Sequence, residues 1–312
     1  MSREADALWA DFWESRRAAG DFDLVAAREG SIEAGETAPQ AVGASYRRTS
    51  VAGAQVVIAD PDVPRIDASI IWIHGGAFTM MSADTHRHVA GHLAVALGGS
   101  VVVPEYPLAP EHPFPAALDV VDGVVAELVS GSDEPWVLVG DAAGGALARG
   151  SSMRRRDRGE PPPTLTVLLC PCLFLSLSGV SVASNAVVYA VLDAETLPAH
   201  AAMYLGATAG TDPLASPLHG DLSYLGSVYV QAAEHDVLVD DSVRFARRTD
   251  GIEGTMTRLE IVSGLPHCFQ FFAGMIPEAD AAITRVAGEI RRSLLNREEN
   301  GAGRNSAEPS PG

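Results

Sequence analysis

The stretch from Val137 to Gly145 constrains the fold of this chain more than any other. It reads Val-Leu-Val-Gly-Asp-Ala-Ala-Gly-Gly, so three β-forming residues run into a glycine-flanked turn, and residues 146–148 (Ala-Leu-Ala) then favour a helix. Gly140 and Gly144 occupy the two glycine positions of the G-x-S-x-G turn, which lifts a nucleophilic side chain above a sheet. Ala142 occupies the middle position. The turn is therefore of a type built for a nucleophile, and the nucleophile is missing.

Strand and helix patterns alternate along the rest of the chain. We predict strands at 51–59, 68–73, 100–103, 136–139, 164–170, 228–233 and 257–262, and helices within 5–30 and at 86–97, 116–128, 239–248 and 278–295. This alternation predicts a mostly parallel sheet covered by helices on both faces. We divide the chain into an N-terminal helical cap region (1–50), an α/β domain (51–296) with a cap-like insertion (about 176–220), and a polar, disordered tail (297–312).

Composition limits the classes of partner. A chain of 312 residues that is 47% hydrophobic can form one large α/β domain. The formal net charge of -18 disfavours nucleic acid and anionic membrane surfaces as partners. The N-terminus is charged and lacks an apolar signal core, and no stretch approaches membrane-spanning length, so we expect a cytoplasmic protein.

The three cysteines do not form a disulfide framework pattern. Cys170 and Cys172 lie in an apolar run, and Cys268 lies near the end of the chain. We interpret the first two as buried strand residues rather than metal ligands, and we expect no metal site.

Three chemically capable positions each follow a predicted strand. They are Ala142 in the turn, Asp236 and His267, in the chain order nucleophile, acid, histidine. Because ligands bind beyond the carboxyl ends of parallel strands, these positions are expected to meet. Asp236 could also be a helix cap and His267 a structural histidine, but the three together favour a catalytic triad. In such a triad the histidine deprotonates the nucleophile and the carboxylate orients the histidine.

A second motif, His-Gly-Gly-Ala-Phe at 74–78, directly follows the strand predicted at 68–73. Glycines allow backbone N–H groups to approach a developing oxyanion. We therefore assign the oxyanion hole to Gly75, Gly76 and, from the residue after the nucleophile position, Ala143.

Together these motifs resemble those of bacterial hormone-sensitive-lipase-family carboxylesterases, which have the α/β-hydrolase fold. The matching segments are 74–78 (H-G-G-A-F), 106–117 (Y-P-L-A-P-E-H-P-F-P-A-A), 140–145 (G-D-A-A-G-G against the family's G-D-S-A-G-G), 236–240 (D-V-L-V-D) and 267–269 (H-C-F). The resemblance covers about 51–295. It implies an eight-stranded sheet, a cap formed largely by N-terminal helices, and hydrolysis of small acyl esters without a cofactor. It leaves a homodimer open.

Several residues depart from the family pattern. Glu105 replaces an Asp, Pro107 an Arg, and Cys268 the glycine after the histidine. Met81 replaces a common glycine, which predicts a bulkier pocket wall; we assign substrate contacts to Met81 and also to the motif residues His74 and Phe78.

Three hypotheses about function are compatible with an alanine, rather than a serine, at position 142. An alanine side chain cannot attack a carbonyl. Asp141 is one residue out of register, and Cys268 is expected to point away from its neighbour His267, so neither is expected to replace the nucleophile. The favoured hypothesis is an esterase inactivated by a Ser-to-Ala change that can hold its substrate. The alternatives are a naturally serine-less enzyme that uses His267 and Asp236 for lyase, cyclase or isomerase chemistry, and a non-catalytic small-molecule receptor.

Overall fold

The computed structural model describes residues 1–18, 22–132, 134–186 and 192–305. The helices of this part are α1 (Arg3–Ala18), α2 (Leu24–Thr37), α3 (Ala83–Leu97), α4 (Ala116–Val129), α5 (Ala143–Asp157), α6 (Val180–Ser184), α7 (Leu197–Leu205), α8 (Val239–Thr249) and α9 (Pro277–Asn305). The strands are β1 (Ala44–Val51), β2 (Ala54–Pro61), β3 (Ser69–Ile73), β4 (Val101–Pro104), β5 (Trp136–Asp141), β6 (Leu165–Leu169), β7 (Gly226–Ala233) and β8 (Thr255–Val262).

One sheet contains all eight of these described strands, in the order β1-β2-β4-β3-β5-β6-β7-β8. β1 and β2 pair antiparallel, and β2 also pairs antiparallel with β4, whereas the strands from β4 to β8 are parallel. The prediction of an α/β-hydrolase fold with a mostly parallel eight-stranded sheet is confirmed. Because the central strands are parallel, the loops that follow β3, β5, β7 and β8 meet at one edge of the sheet.

Side-chain alternation divides the core into two layers. Ile70 and Trp72 of β3 pack in a cluster with residues of α1, α3 and α9, whereas Ile71 and Ile73 pack with residues of α4 and α5. All four side chains are buried, which explains why the strand reads as a continuous apolar run. The two layers hold the ends of β3 and β5 rigidly beside each other.

The edge of the sheet differs from the sequence-based prediction. The strand predicted at 51–59 is in fact the end of β1 and most of β2, which form a hairpin around Ala52 and Gly53. Both turn residues have positive φ (49° and 79°), as tight two-residue hairpin turns require. β1 was missed because it is mostly exposed and carries Arg47 and Arg48, so it lacks an apolar pattern.

The C-terminal helix is longer than predicted. α9 continues to Asn305, so residues 297–305, assigned to a disordered tail, are helical, and residues 306–312 lie outside the described part of the chain. Among the described helices, none is long and apolar enough to cross a membrane.

Candidate active site

The turn between β5 and α5 has a backbone conformation that requires glycine at two positions. A Cβ on Gly140 would collide with Gly144 O, and a Cβ on Gly144 would collide with Ile73 O, so both positions require glycine. Between them, Ala142 has φ 45° and ψ −117°, a strained conformation for a residue with a side chain. Its methyl group borders a cavity. The turn therefore holds the methyl group of Ala142 at the cavity in a strained backbone conformation.

The structure brings the predicted acid and histidine together. His267 Nδ1 lies 2.9 Å from Asp236 Oδ1, and both residues are buried. Asp236 Oδ1 also accepts a hydrogen bond from the Leu238 amide (2.8 Å), so the same carboxylate supports the start of α8 and orients the imidazole. With Nδ1 donating to the carboxylate, Nε2 is left as the acceptor, which is the atom that removes a proton from a nucleophile.

The side chain of Cys268 lies where it was not expected. Its Sγ is 3.3 Å from His267 Nε2, because the backbone of Cys268 is left-handed (φ 47°, ψ 37°) and turns the side chain back toward its neighbour. The expectation that Cys268 points away from His267 is therefore wrong. Burial, together with the nearby Cys170, raises the pKa of the Cys268 thiol well above its usual value. Because the thiolate is the nucleophilic form, this environment disfavours Cys268 as a replacement nucleophile.

In the His-Gly-Gly-Ala-Phe loop (74–78) that follows β3, called the oxyanion loop below, the amide of Gly75 is already hydrogen-bonded within the protein. The Gly75 amide donates to Asp141 Oδ1 (3.1 Å), so the assignment of Gly75 to the oxyanion hole is corrected. In the described part of the chain, no acceptor pairs with the amides of Gly76, Ala77 or Ala143, and all three residues border the cavity. These three amides are therefore able to donate to a ligand in the cavity. Ala77 belongs to the motif but was not assigned a role.

The side chain of His74 packs inside the protein and forms a hydrogen bond to the backbone of this loop. It is fully buried, its ring stacks on Tyr106 with the ring centres 4.0 Å apart, and its Nδ1 donates to Gly75 O (2.8 Å). Burial, and next the nearby His86, lower the pKa of His74 to about 3, so the ring is neutral. His74 is not among the described residues that border the cavity, and the assignment of a substrate contact to it is corrected.

The cavity has a volume of about 380 Å³. Its walls are mostly apolar, and the described residues that line it include Gly76, Ala77, Phe78, Met80, Met81, Ala142, Ala143, Cys172, Leu175, Leu177, Leu192, Leu197, Ala201, Leu238, His267, Cys268, Phe271 and Phe272. The structure thus places Phe78 and Met81 at the wall, as assigned. Such a pocket suits a small, uncharged ligand.

Two helices close the cavity from outside the sheet. α2 contributes Ala27, Gly30, Ser31 and Ala34, and α7 contributes three residues that include His200. Sequence reasoning did not identify these residues, although the four on α2 are spaced i, i+3, i+4, i+7 and form one face of small side chains. That spacing is the signal that could have found them.

Known proteins are similar to this chain in both fold and sequence. A family model described as the α/β hydrolase fold matches residues 70–271. The chain belongs to the bacterial hormone-sensitive-lipase-type carboxylesterases of this fold. It is 36% identical over 228 residues to an esterase of Acinetobacter venetianus, covering 72% of this chain and 75% of that protein. An acetyl-hydrolase of Streptomyces hygroscopicus is 32% identical over 227 residues, covering 72% of this chain and 75% of that protein.

Solved structures of this family superpose on the chain closely. An esterase from the bacterial hormone-sensitive lipase family matches with a TM-score of 0.89 and 30% identity, covering 94% of this chain and 99% of that one. The chain therefore has the scaffold of a carboxylic ester hydrolase, which agrees with the resemblance found from the motifs.

Proposed function

We propose that this chain binds small acyl esters in the cavity beside Ala142 but does not form an acyl-enzyme. The single observation that carries the proposal is the conformation of the turn. Ala142 keeps the strained φ and ψ of a nucleophile position, while His267 and Asp236 remain hydrogen-bonded beside it. Strain of this kind persists only where the surrounding structure holds it. One hydroxyl group is the part that the arrangement lacks.

The cavity supports the choice of substrate. Its walls are mostly apolar, and amides at one end are free to stabilise the negative charge that develops on an ester carbonyl oxygen. The Acinetobacter and Streptomyces relatives carry the names esterase and acetyl-hydrolase. Both observations favour an ester with a short acyl group. Without the hydroxyl, binding and oxyanion stabilisation together leave about 10³–10⁴-fold acceleration over water.

The other two hypotheses predict different behaviour. A non-hydrolytic enzyme would use His267 and Asp236 as a general base on a bound carbonyl compound. A receptor would need neither residue, and the retained hydrogen bond between them therefore favours the enzyme hypotheses.

The test is the hydrolysis of a short-chain aryl ester by the chain and by its Ala142→Ser variant. We expect serine to raise kcat by roughly 10⁴-fold or more, because removing the serine of a Ser-His-Asp triad costs up to about 10⁶-fold. His267→Ala should abolish this gain and leave the residual rate of the unmodified chain almost unchanged.

A matched double variant tests for interference by the thiol. Cys268 Sγ occupies the acceptor side of His267, so Ala142→Ser/Cys268→Gly should be at least as active as Ala142→Ser alone. If neither serine variant gains His267-dependent hydrolysis, the proposal is wrong, and non-hydrolytic chemistry or ligand binding alone should then be examined.

A further inference from the structure

A cluster of two sulfur atoms and one nitrogen lies beside the cavity, which two of its three residues border. Cys170, His267 and Cys268 each offer one ligand atom, and these atoms all lie within 4.8 Å of one another. Cys170 directly follows β6, whereas His267 and Cys268 lie in the loop after β8. Two parts of the chain that are about a hundred residues apart thus place soft ligand atoms at one point. Neither the triad nor the oxyanion hole uses the two sulfurs.

The separations of the three ligand atoms are close to those of a tetrahedral metal site. With metal–sulfur distances of about 2.3 Å and metal–nitrogen distances of about 2.0–2.1 Å, tetrahedral ligands lie about 3.5–3.8 Å apart. Cys268 Sγ and His267 Nε2 are 3.3 Å apart, and Cys170 Sγ lies within 4.8 Å of both atoms. Movements of about 1 Å or less would therefore bring the three atoms to the tetrahedral spacing. Cysteine sulfur and imidazole are the donors that Zn²⁺ prefers, and hard cations such as Mg²⁺ prefer oxygen.

The surroundings also fit such a site. His267 Nδ1 is hydrogen-bonded to Asp236 Oδ1, and a carboxylate on the far nitrogen is the common way in which metal-bound histidines are oriented. Cys170 is fully buried, whereas His267 and Cys268 border the cavity, which offers space beside them for a fourth ligand. Three protein ligands and one open position are typical of catalytic rather than structural zinc sites.

We infer that Cys170, His267 and Cys268 form a three-ligand site for a thiophilic divalent cation such as Zn²⁺, with the fourth position open to the cavity. On binding, the two thiols lose their protons to solvent and the imidazole lone pair of Nε2 joins the metal, which leaves the site neutral. The inference goes beyond ester binding and does not depend on it, since it is tested without an ester. It replaces our prediction that Cys170 is only a buried strand residue.

The test is a titration of the full-length, reduced chain with Co²⁺, followed by displacement with Zn²⁺. Tetrahedral Co²⁺ with thiolate ligands gives a near-ultraviolet charge-transfer band and intense visible bands. We expect one Co²⁺ per chain, lost on addition of Zn²⁺. Cys170→Ser and Cys268→Ser should each weaken binding by about 100-fold or more and reduce the charge-transfer band. Asp236→Asn should weaken binding by about 10-fold or more through the loss of its hydrogen bond to His267.

Cys172→Ser is the matched control. Cys172 is also buried and near the cavity, but it is not part of the cluster. It should bind Co²⁺ as the unmodified chain does, and circular dichroism should show that all the cysteine variants are folded. The inference is overturned if the reduced chain shows no saturable one-to-one band. It is also overturned if folded Cys170→Ser and Cys268→Ser variants bind as well as Cys172→Ser does.

A second readout separates this site from the proposed ester chemistry. Metal on Nε2 prevents His267 from acting as a base, so Zn²⁺ should inhibit the Ala142→Ser variant and not Ala142→Ser/Cys268→Gly. If Co²⁺ binds but serine restores no hydrolysis, the metal site stands and the proposed function fails. Inhibition of both serine variants to the same extent would contradict the assignment of Cys268 as a ligand.

Discussion

Asp141 holds together three segments that are distant in the chain. Its Oδ1 accepts hydrogen bonds from Trp72 Nε1 (2.8 Å) and the Gly75 amide (3.1 Å), and its Oδ2 lies 3.3 Å from His86 Nε2. Burial alone would raise the pKa of Asp141, but His86 and the hydrogen bonds outweigh this effect and lower the pKa. The carboxylate therefore stays charged. It pairs with the Gly75 amide, whereas the amides of the next two residues, Gly76 and Ala77, have no acceptor in the described part of the chain and both residues border the cavity.

Gly76 provides a prediction for the oxyanion loop. Its φ is +111°, and a Cβ there would collide with Met80 O, so Gly76→Ala must displace the loop. In the Ala142→Ser background we expect about a 10²–10³-fold loss of kcat, because misplacing an oxyanion donor has that effect. We also expect a lower midpoint in urea unfolding.

Gly288→Ala is the matched control for this substitution. A Cβ at Gly288, inside α9, meets no atom within 4 Å. This variant should gain about 0.5–1 kcal/mol of unfolding free energy with unchanged kcat. Full activity in Gly76→Ala would show that the loop does not supply the oxyanion donors.

At the scale of secondary-structure elements, Arg28 fastens α2 to the rest of the site. Its Nε donates to Thr79 O (2.7 Å), its Nη2 donates to Ala109 O (2.9 Å), and its two terminal nitrogens form a bidentate pair with Glu111 (both 2.7 Å). Bidentate contacts of this kind fix geometry as well as charge. α2 is one wall of the cavity, so Arg28 sets the position of that wall relative to the oxyanion loop.

Replacing this arginine should loosen the cavity wall. In the Ala142→Ser background, Arg28→Met should raise KM for a short ester several-fold with a smaller effect on kcat, because α2 lines the cavity wall and carries none of the proposed catalytic groups. Hydrogen exchange of α2 amides should be faster. Arg47→Met removes an exposed ion pair with Asp60 (2.7 Å) in the β1–β2 hairpin and should change neither quantity. Equal KM values for both variants would rule out the role of Arg28.

At the scale of the whole molecule, buried titratable groups make stability depend on pH. Burial is the main cause in each case: it lowers the pKa of His74 to about 3 and of His88 to about 4, and it raises the pKa of Asp241 to about 7. Between pH 4 and 6.5, the unfolded chain binds more protons at the two histidines, and the folded chain binds more at Asp241. The histidines therefore destabilise the fold as pH falls, and Asp241 has the opposite effect.

The two histidines and Asp241 together should make the free energy of unfolding fall by about 1.4 kcal/mol per pH unit between pH 6 and 4.5. The lowered pKa of His200 adds to this fall, and the raised pKa of Glu105 opposes it. His88→Gln keeps a donor for Phe271 O (2.8 Å from His88 Nε2) and should lower this slope by about 1.4 kcal/mol per pH unit. Asp241→Asn should raise the slope by about 1.4 kcal/mol per pH unit, because it removes the opposing carboxyl. Urea unfolding at several pH values measures the three slopes, and identical slopes would contradict the assigned pKa directions.

Sequence reasoning predicted the parts of the site that depend on local contacts. Gly140 and Gly144 are required because a Cβ at either position would collide with backbone atoms of the turn itself or of the adjacent strand. The turn could therefore be recognised from its amino-acid sequence. The order Ala142, Asp236, His267 needed only the rule that parallel strand ends meet. The polar strand β1 and the cavity-facing residues of α2 were missed, because an exposed edge and a face of small side chains give weak hydrophobic patterns.

The amino-acid sequence by itself determined the α/β-hydrolase fold, the shape of the turn at Ala142 and the pairing of Asp236 with His267. Only the tertiary structure decided that the Gly75 amide is taken by Asp141, that Cys268 turns back to His267, and that Cys170 lies beside both. The physical reason is that strand patterns and tight turns are fixed by nearby residues. The hydrogen-bond partner of an amide and the neighbours of a sulfur atom depend instead on which side chains the packing of distant strands brings together. A local sequence pattern does not contain that information.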